Sequence, residues 1–404
     1  MNKIYIHREI ESALKRSVKQ FPAIAVTGPR QSGKSTLLRE IFSKTHNYVT
    51  FDDPINREQA LSDPKLFLEN AGQKAIIDEI QYAPQILSYI KIMIDNKRHE
   101  KGRFIFTGSQ QFILIKNLGD SLAGRIALFD LLPFDINEKR RVSGMGRVLD
   151  TSSKCFVHSC LFGSFPEVAV SRDIDVNTWY SAYLQTYLER DVRTTYNIGK
   201  LRDFQLFIQL LAARCSQILN LTSFSNDLGI GVNTIKRWIS ILEASRIIYL
   251  LPPYYQNFGK RLTKSPKIYF LDCGLVCYLV GIKSRELLLK GPMAGQLFEN
   301  FYIQETVKHF FNKGARPRLY YIRSHNKLEI DLMIEHSNMN VSLIKIKFSK
   351  TPRTAMASNI NKFKKNFPKL KIRDSKILSL SDGTIQLVDG VSFQGLDDYL
   401  ACLE

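Results

Sequence analysis

Across 404 residues no apolar run approaches the roughly 18 residues that a bilayer-spanning helix needs, so no membrane partner is expected. The opening Met1-Asn2-Lys3-Ile4-Tyr5-Ile6-His7-Arg8-Glu9 lacks the apolar core of a secretory leader. The six cysteines (Cys155, Cys160, Cys215, Cys273, Cys277 and Cys402) include no CxxC pair, which leaves reduced thiols in a cytoplasmic protein as the expectation. Acidic residues are scarce as well: 38 against 57 Lys and Arg, a formal charge of +19. Such a balance favours a polyanionic partner, nucleic acid ahead of anionic membrane, provided the basic residues fall on a DNA-binding element. What is present is 44% hydrophobic and 24% charged, the balance of a folded globular chain. Its length accommodates roughly two to four domains.

Gly28-Pro29-Arg30-Gln31-Ser32-Gly33-Lys34-Ser35-Thr36 fits the phosphate-binding pattern of Gly, four residues, then Gly-Lys-Ser/Thr. The apolar run Ala23-Ile24-Ala25-Val26 before it reads as a strand buried on both faces. Leu37, Leu38, Ile41 and Phe42 after it recur at helical spacing. The glycines let backbone N–H groups turn toward a phosphate, and the helix start adds the positive end of its dipole. Residues Gly28 to Thr36 are therefore expected to hold ATP, with Lys34 reaching the β- and γ-phosphates and Ser35 ligating Mg²⁺.

Around this loop the chain reads as a nucleotide domain. An amphipathic helix is expected over about residues 4–20, a second strand at Tyr48-Val49-Thr50-Phe51, and a polar helix through Leu66, Phe67 and Leu68. Ala75-Ile76-Ile77-Asp78-Glu79 is an apolar strand ending in two acids. Asp78 would hold the Mg²⁺ shell, and Glu79 would orient and deprotonate the attacking water. Ile86, Ile90 and Ile94 mark the next helix. The strand after it ends in Thr107-Gly108-Ser109-Gln110, where ligands of such sheets lie. Ser109 or Gln110 would touch the γ-phosphate or the lytic water, or else make a plain turn. Arg125 precedes a fifth strand, Ile126-Ala127-Leu128-Phe129; it either serves a neighbouring subunit as an arginine finger or solvates the strand start.

Gly-Pro-Arg-Gln-Ser-Gly-Lys-Ser, Ile-Ile-Asp-Glu-Ile-Gln, Thr-Gly-Ser-Gln and Ser-Leu-Ala-Gly-Arg, in this order, resemble the prokaryotic AAA-type ATPases that carry a DUF4143 C-terminal region. The likeness continues through Gly163-Ser164-Phe165-Pro166-Glu167, Tyr187-Leu188-Glu189-Arg190-Asp191-Val192-Arg193, Lys260-Arg261-Leu262, Lys267-Ile268-Tyr269-Phe270-Leu271-Asp272-Cys273-Gly274-Leu275 and Gly295-Gln296-Leu297-Phe298-Glu299-Asn300. It thus covers nearly the whole chain. The resemblance implies an additional-strand P-loop fold, ATP with Mg²⁺ and a homo-oligomer; it does not define the biological task.

From about 151 to 200 the chain reads as helices, with Trp179, Tyr183, Tyr187 and Val192 on apolar spacings. Arg190 and Arg193 would reach the nucleotide from a lid, or pair with Glu189 and Asp191 on a helix face. Further on, Leu221–Leu228, the turn Gly229-Ile230-Gly231 and Asn233–Leu242 make two short helices around a glycine turn, the helix-turn-helix pattern. Ile235, Ile239 and Leu242 should pack inward, with Lys236, Arg237 and Ser240 on the other face. The apolar runs Ile247–Leu251 and Ile268–Leu271 flank a basic stretch holding Lys260, Arg261, Lys264 and Lys267, the outline of a winged helix. Lysines and arginines there would contact DNA phosphates; winged helices also serve as protein-docking modules.

After about residue 285 the pattern becomes helix, strands, then a Lys-rich helix. Leu328–Ile334 alternates as a strand with Glu329 and Asp331 on one face, and Leu343–Lys347 places Lys345 and Lys347 together. Metal-dependent nucleases of the restriction-endonuclease-like, PD-(D/E)XK kind resemble this outline. Asp331 takes their Asp position and Lys347 their Lys position, but the second acid is replaced by Lys345. An ammonium repels Mg²⁺ at short range, so Lys345 is expected to pair with Asp331 or Glu329 and the site to be inactive. Glu299 and Glu335 are the substitute ligands if it is not. The tail carrying Lys362, Lys364, Lys365, Lys369, Lys371 and Arg373 is a solvated face or an auxiliary nucleic-acid surface.

The expected α/β architecture is a P-loop NTPase core, AAA-like with a parallel sheet (1–150), a helical lid (151–200), a winged-helix domain (201–284) and a degenerate nuclease-like α/β domain (285–404). ATP hydrolysis coupled to DNA binding or remodelling is the leading expectation. An ATP-gated signalling switch with slow turnover is the rival, and an ATP-regulated nuclease comes third.

Overall fold

The computed structural model describes residues 5–108, 122–171, 173–187, 201–254, 265–324, 328–337, 339–388 and 390–403. Ser109, Gln110, Arg190, Arg193, Lys260, Arg261 and Lys264 lie outside these residues.

Five short strands form the first sheet: β1 (Ala23–Thr27), β2 (Asn47–Thr50), β3 (Ala75–Asp78), β4 (Phe104–Gly108) and β5 (Ile126–Asp130). All run parallel, in the order β2-β3-β4-β1-β5. β4 is thus inserted between the strand before the glycine loop and the strand ending in acids. Helices α1 (Glu11–Ser17), α2 (Lys34–Phe42), α3 (Pro54–Ser62), α4 (Pro64–Ala71) and α5 (Ile86–Asn96) surround it. Successive residues of a strand point to opposite faces. Ile24, Val26, Ile76 and Ile105 therefore meet α1 and α2, while Ala25, Ile77, Phe104 and Phe106 meet α4 and α5. The single polar helix expected after β2 is two, because Asp53-Pro54 and Asp63-Pro64 each supply a side-chain N-cap and a proline for the first turn.

The first helix is shorter than its apolar pattern predicts. The Glu11 carboxylate accepts the Arg8 N–H at 3.0 Å and the Tyr5 hydroxyl at 2.8 Å, which starts the helix only at Glu11. Residues 5–10 become an arm that buries Arg8 behind the glycine loop. Its guanidinium donates to Ser32 O at 2.8 Å, to Leu132 O at 2.7 Å and to Glu138 Oε1 at 2.9 Å. Glu138 belongs to α6 (Ile136–Arg140) and closes a capping box with Asp135.

The middle of the chain is α7 (Ser152–Leu161), α8 (Val176–Tyr187), α9 (Leu201–Ala213), α10 (Leu221–Leu228) and α11 (Val232–Ala244). An antiparallel pair follows, β6 (Ile248–Leu251) and β7 (Lys267–Phe270), with Ile218 bridged to Lys267, and then α12 (Cys273–Val280). Gly229 ends α10 in the left-handed region at φ +66°, which sets the turn between α10 and α11.

The C-terminal region begins with the 19-residue α13 (Ala294–Asn312). Strands β8 (Leu319–Arg323), β9 (Glu329–Ser337) and β10 (Asn340–Ile346) follow as an antiparallel meander. After α14 (Ser358–Asn366), β11 (Lys371–Leu378) runs parallel to β10. Strands β12 (Thr384–Gln386) and β13 (Val391–Gln394) complete a six-stranded sheet, and α15 (Leu396–Ala401) closes the region. One apolar cluster runs from Leu132 to Leu403 through α7–α13 and this second sheet, so the residues expected as lid, winged helix and C-terminal domain share a core. The polar residues of α13 are buried against the first domain. Glu305 accepts the Ile136 N–H at 2.9 Å, Lys308 donates to Phe134 O at 2.9 Å, and Asn312 donates to Asp135 at 2.8 Å.

Arg8→Ala would leave Glu138, whose side chain is fully buried, without its guanidinium. Removing one partner of a buried pair costs about 3–5 kcal/mol, so the urea midpoint of the variant is expected to fall well below that of the wild type. An unchanged midpoint would show that the arm is not structural.

Candidate nucleotide site

The glycine loop leaves β1 through two positions that no other residue fits well. Gly28 has φ +144° and a Cβ there would collide with the Leu131 carbonyl; Gly33, at φ +92°, is the N-cap of α2. Gln31 also lies at positive φ, +59°. Lys34 is 5% exposed, and its ammonium donates to the loop's own carbonyls, to Gly28 O at 3.1 Å and to Pro29 O at 2.9 Å.

The Ser35 hydroxyl lies 3.0 and 2.9 Å from the two oxygens of Asp78. Two further hydroxyls hold that carboxylate: Tyr48 donates at 2.5 Å, and Thr107 donates to the other oxygen. Burial first and the Asp78 carboxylate second push the Tyr48 phenol up to about 12, so it stays a donor. The Arg39 guanidinium lies 3.8 Å over the Tyr48 ring. Motif reading missed Tyr48 and Thr107, although strand register could have found the threonine. Ile77 pairs with Phe106, so the next residues, Asp78 and Thr107, sit side by side at the ends of β3 and β4.

Glu79 follows in the left-handed region at φ +55°, a strained conformation for a non-glycine residue. Its N–H donates to Thr107 Oγ1 at 3.1 Å, and its carboxylate accepts from Gln81. Glu79 lines a cleft of about 400 Å³ with Arg30, Gln31, Gly33, Lys34, Ser35, Thr36 and, from α8, Thr186. A smaller recess beside Gly33 and Thr36 is walled by Tyr5, Ile6, Arg8, Phe134, Pro166 and Val170.

Arg125 does not belong to the site of its own chain. β5 starts at Ile126, opposite Ala23, so Arg125 lies at the far end of the sheet, about 20 Å along the strand from Gly28 at ~3.3 Å per residue. It is held there by a bidentate pair with Asp95 of α5, at 2.6 and 2.9 Å.

On α11 the side chains of Ile235, Trp238, Ile239 and Leu242 are buried, while Lys236, Arg237 and Ser240 are exposed. In the second sheet, the register slips between β8 and β9, so Ile330 and Met333 share one core while Leu332 and Ile334 share another. Strict alternation is therefore broken around Asp331. Its carboxylate accepts the Lys345 ammonium at 2.5 Å and the Ile346 N–H at 2.7 Å. A second buried ammonium, Lys267, bridges Glu299 at 3.0 Å and Glu329 at 2.9 Å. Burial pushes the Asp331 carboxyl up, but Lys345 and Lys267 outweigh it and hold the group below its usual range. Lys347 falls just past β10, exposed, rather than beside Lys345. Glu335 sits toward the other end of β9, near Tyr320 and Tyr254. Among the described residues no group of three or more His, Cys, Asp or Glu is placed to hold a metal ion, and no helix is long and apolar enough to cross a membrane.

A family model described as an AAA domain matches residues 20–139. Two others, both domains of unknown function, match 154–286 (DUF8612) and 294–399 (DUF4143). Uncharacterized proteins of Mycobacterium bovis and Mycobacterium tuberculosis are each 30% identical over 348 residues, 85% of this chain and 74% of theirs. Among solved structures, a Walker-type ATPase of Pyrococcus abyssi is 15% identical, with a TM-score of 0.46 over 68% of this chain and 96% of that one. The Thermotoga maritima RuvB Holliday junction branch migration motor is 14% identical, with a TM-score of 0.31 over 60% and 89%.

The two-lysine cluster generates a direct test. Lys345→Glu would remove the ammonium that neutralises Asp331 and add a carboxylate, leaving excess negative charge in a buried site. The variant is expected to melt below the wild type and to recover part of the loss in millimolar Mn²⁺, by a larger shift than Mn²⁺ gives the wild type, whose Ser35–Asp78 pair offers a divalent ion a separate place. Equal Mn²⁺ shifts in the variant and the wild type would reverse this account of the cluster.

Proposed function

Because the chain belongs to the AAA-type ATPases that carry a DUF4143 C-terminal region, we propose that it hydrolyses Mg-ATP and couples turnover to DNA held by its basic modules. The observation that carries the hydrolase reading is the convergence of the Ser35 hydroxyl and the Asp78 carboxylate at the start of α2. Hard oxygen donors of this kind suit Mg²⁺, and the bound ion would neutralise charge on the β- and γ-phosphates. Ser35 and Asp78 would hold it, with Tyr48 and Thr107 fixing the Asp78 carboxylate. Lys34 would exchange its two loop carbonyls for phosphate oxygens. Backbone N–H groups of Gly28 to Thr36 would cradle the phosphates at the N-terminus of α2. Glu79, held by Gln81, would orient the lytic water and take its proton. The recess of Tyr5, Ile6, Phe134, Pro166 and Val170 would take the base and ribose.

The DNA half of the proposal is supported by element order and charge. Helix α9, the bridged Ile218, α10, α11 and the antiparallel β6–β7 pair follow the sequence of a winged helix, with Lys236 and Arg237 on the exposed face of α11. The +19 charge favours a phosphate-rich partner. Helix, three antiparallel strands, helix and a parallel strand (α13 to β11) follow the core order of restriction-endonuclease-like folds. With Lys345 on Asp331, this region would grip nucleic acid without cutting it. An assembly of like subunits would allow Arg125 to act in trans after leaving Asp95. A slow ATP-gated switch is the second reading, favoured by the engagement of Arg125 within its own chain.

Steady-state ATPase assays of the full chain with Mg²⁺, with and without duplex DNA at low salt, test the proposal. Duplex should raise kcat, and Glu79→Gln should lower it by at least about 100-fold, the scale of a lost general base, with nucleotide still bound. Equal rates in wild type and Glu79→Gln would overturn the hydrolase reading. Nucleotide binding with no DNA affinity at low salt would favour the switch.

A further inference from the structure

The C-terminal end of α11 is tied to the nucleotide cleft through two consecutive side chains. Arg246, just past the helix at φ +56°, places Nη2 2.8 Å from Asp130 Oδ2. The other oxygen of Asp130 accepts the Thr27 hydroxyl at 2.6 Å. Register puts Asp130 beside Thr27 at the ends of β5 and β1, and Thr27 is the residue immediately before Gly28. The second arm starts one residue earlier: Ser245 Oγ accepts the Tyr187 hydroxyl at 3.2 Å. Tyr187 follows Thr186, which lines the cleft.

The Arg246 arm is fastened to the helix end. The Arg246 N–H donates to Glu243 O and the Ile247 N–H to Leu242 O, each at 3.0 Å, so backbone bonds fasten Arg246 to the last turn of α11. Its guanidinium lies 5.4 Å over the Phe311 ring of α13, and its Nε is buried without a hydrogen-bond partner among the described residues. A buried donor left unmade is an unsaturated seat, which leaves room for a second arrangement of the same side chain.

We propose that Arg246 is a positioning residue for ATP turnover. Through Asp130 and Thr27, with Ser245–Tyr187 as the second arm, it couples the orientation of α11 to the phosphate loop and the Thr186 wall. Linkage makes the coupling reciprocal: nucleotide in the cleft shifts the end of α11, and a ligand on the exposed Lys236–Arg237 face shifts the cleft. The proposal rests on the Mg-ATP reading of the cleft and is independent of what binds α11.

Hydrogen exchange of the full chain, with and without Mg²⁺ and a non-hydrolysable ATP analogue, separates the two. The wild type should show slowed exchange in residues 28–36 and altered exchange in 241–247. Arg246→Ala should keep the first response and lose the second. Its kcat should fall roughly tenfold, as for a small misplacement of reacting groups, with the ATP KM within about twofold of wild type. Arg246→Lys should restore most of the rate. Protection of the loop without any change at 241–247 in the wild type would overturn the proposal, as would an unchanged kcat in Arg246→Ala. If that variant does not fold, Tyr187→Phe removes one hydroxyl only and should lower kcat about two- to threefold; an unaltered rate there overturns it equally. Absence of protection in residues 28–36 would instead remove the ATP-site reading, and this proposal with it.

Discussion

A single buried guanidinium underlies the shape of the phosphate loop. Arg8 supplies three hydrogen bonds at once, to the Ser32 carbonyl in the loop, to Leu132 after β5 and to Glu138 in α6. The planar fork of arginine suits such divergent acceptors, where a lysine would offer a point charge. Its ring contact with Phe134, at 4.8 Å, fixes the plane of the fork. Without this anchor the Ser32 carbonyl would lose the guanidinium that ties the loop to Leu132 and Glu138.

That anchor is supported in turn from the far end of the chain. Glu138 and Asp135 cap α6 reciprocally, and the flanking backbone groups, Phe134 O and Ile136 N–H, are satisfied by Lys308 and Glu305 of α13. Lys308 and Glu305 are also paired with each other at 3.3 Å, fully buried. Buried ionic groups are tolerated when every member is bonded. The nucleotide site is consequently a product of both ends of the sequence, although its motif occupies nine consecutive residues.

The motif-bearing parts were legible because local pattern and tertiary role coincide there. Ala23–Val26, the glycine loop and Ile76–Glu79 read as strand, loop and strand, whereas the strand between them in the sheet was implied only by the family resemblance. The face of α11 was equally readable from the spacing of Ile235, Ile239 and Leu242. What remained hidden depends on contacts distant in sequence. Arg8 sat inside a stretch whose periodicity favours helix, and only the Glu11 carboxylate, by starting the helix late, frees it. Tyr48 carries no motif, and Thr107, at the head of Thr-Gly-Ser-Gln, takes no role from it; both matter because β2 and β4 flank β3 and their hydroxyls reach Asp78. Strict alternation placed Glu329 and Asp331 together, as they are in the lysine cluster, and failed only beyond Asp331, because a register slip is invisible to a count of two. Arg125 read as either a finger for a neighbouring subunit or an arginine solvating the start of a strand, and only Asp95, on a separate helix, reveals its partner within the chain.

The position of α13 also bears on biosynthesis. Domains of a nascent chain generally fold as units, N-terminal first, and the five parallel strands are complete by Asp130. Yet the carboxylate that accepts the Ile136 N–H and the ammonium that caps Phe134 O lie at 305 and 308, more than 160 residues further on. A ribosome-bound chain therefore carries the glycine loop long before the loop acquires its full backing. Competence to bind a triphosphate would arrive late in translation, when α13 emerges and docks, rather than when the motif itself does.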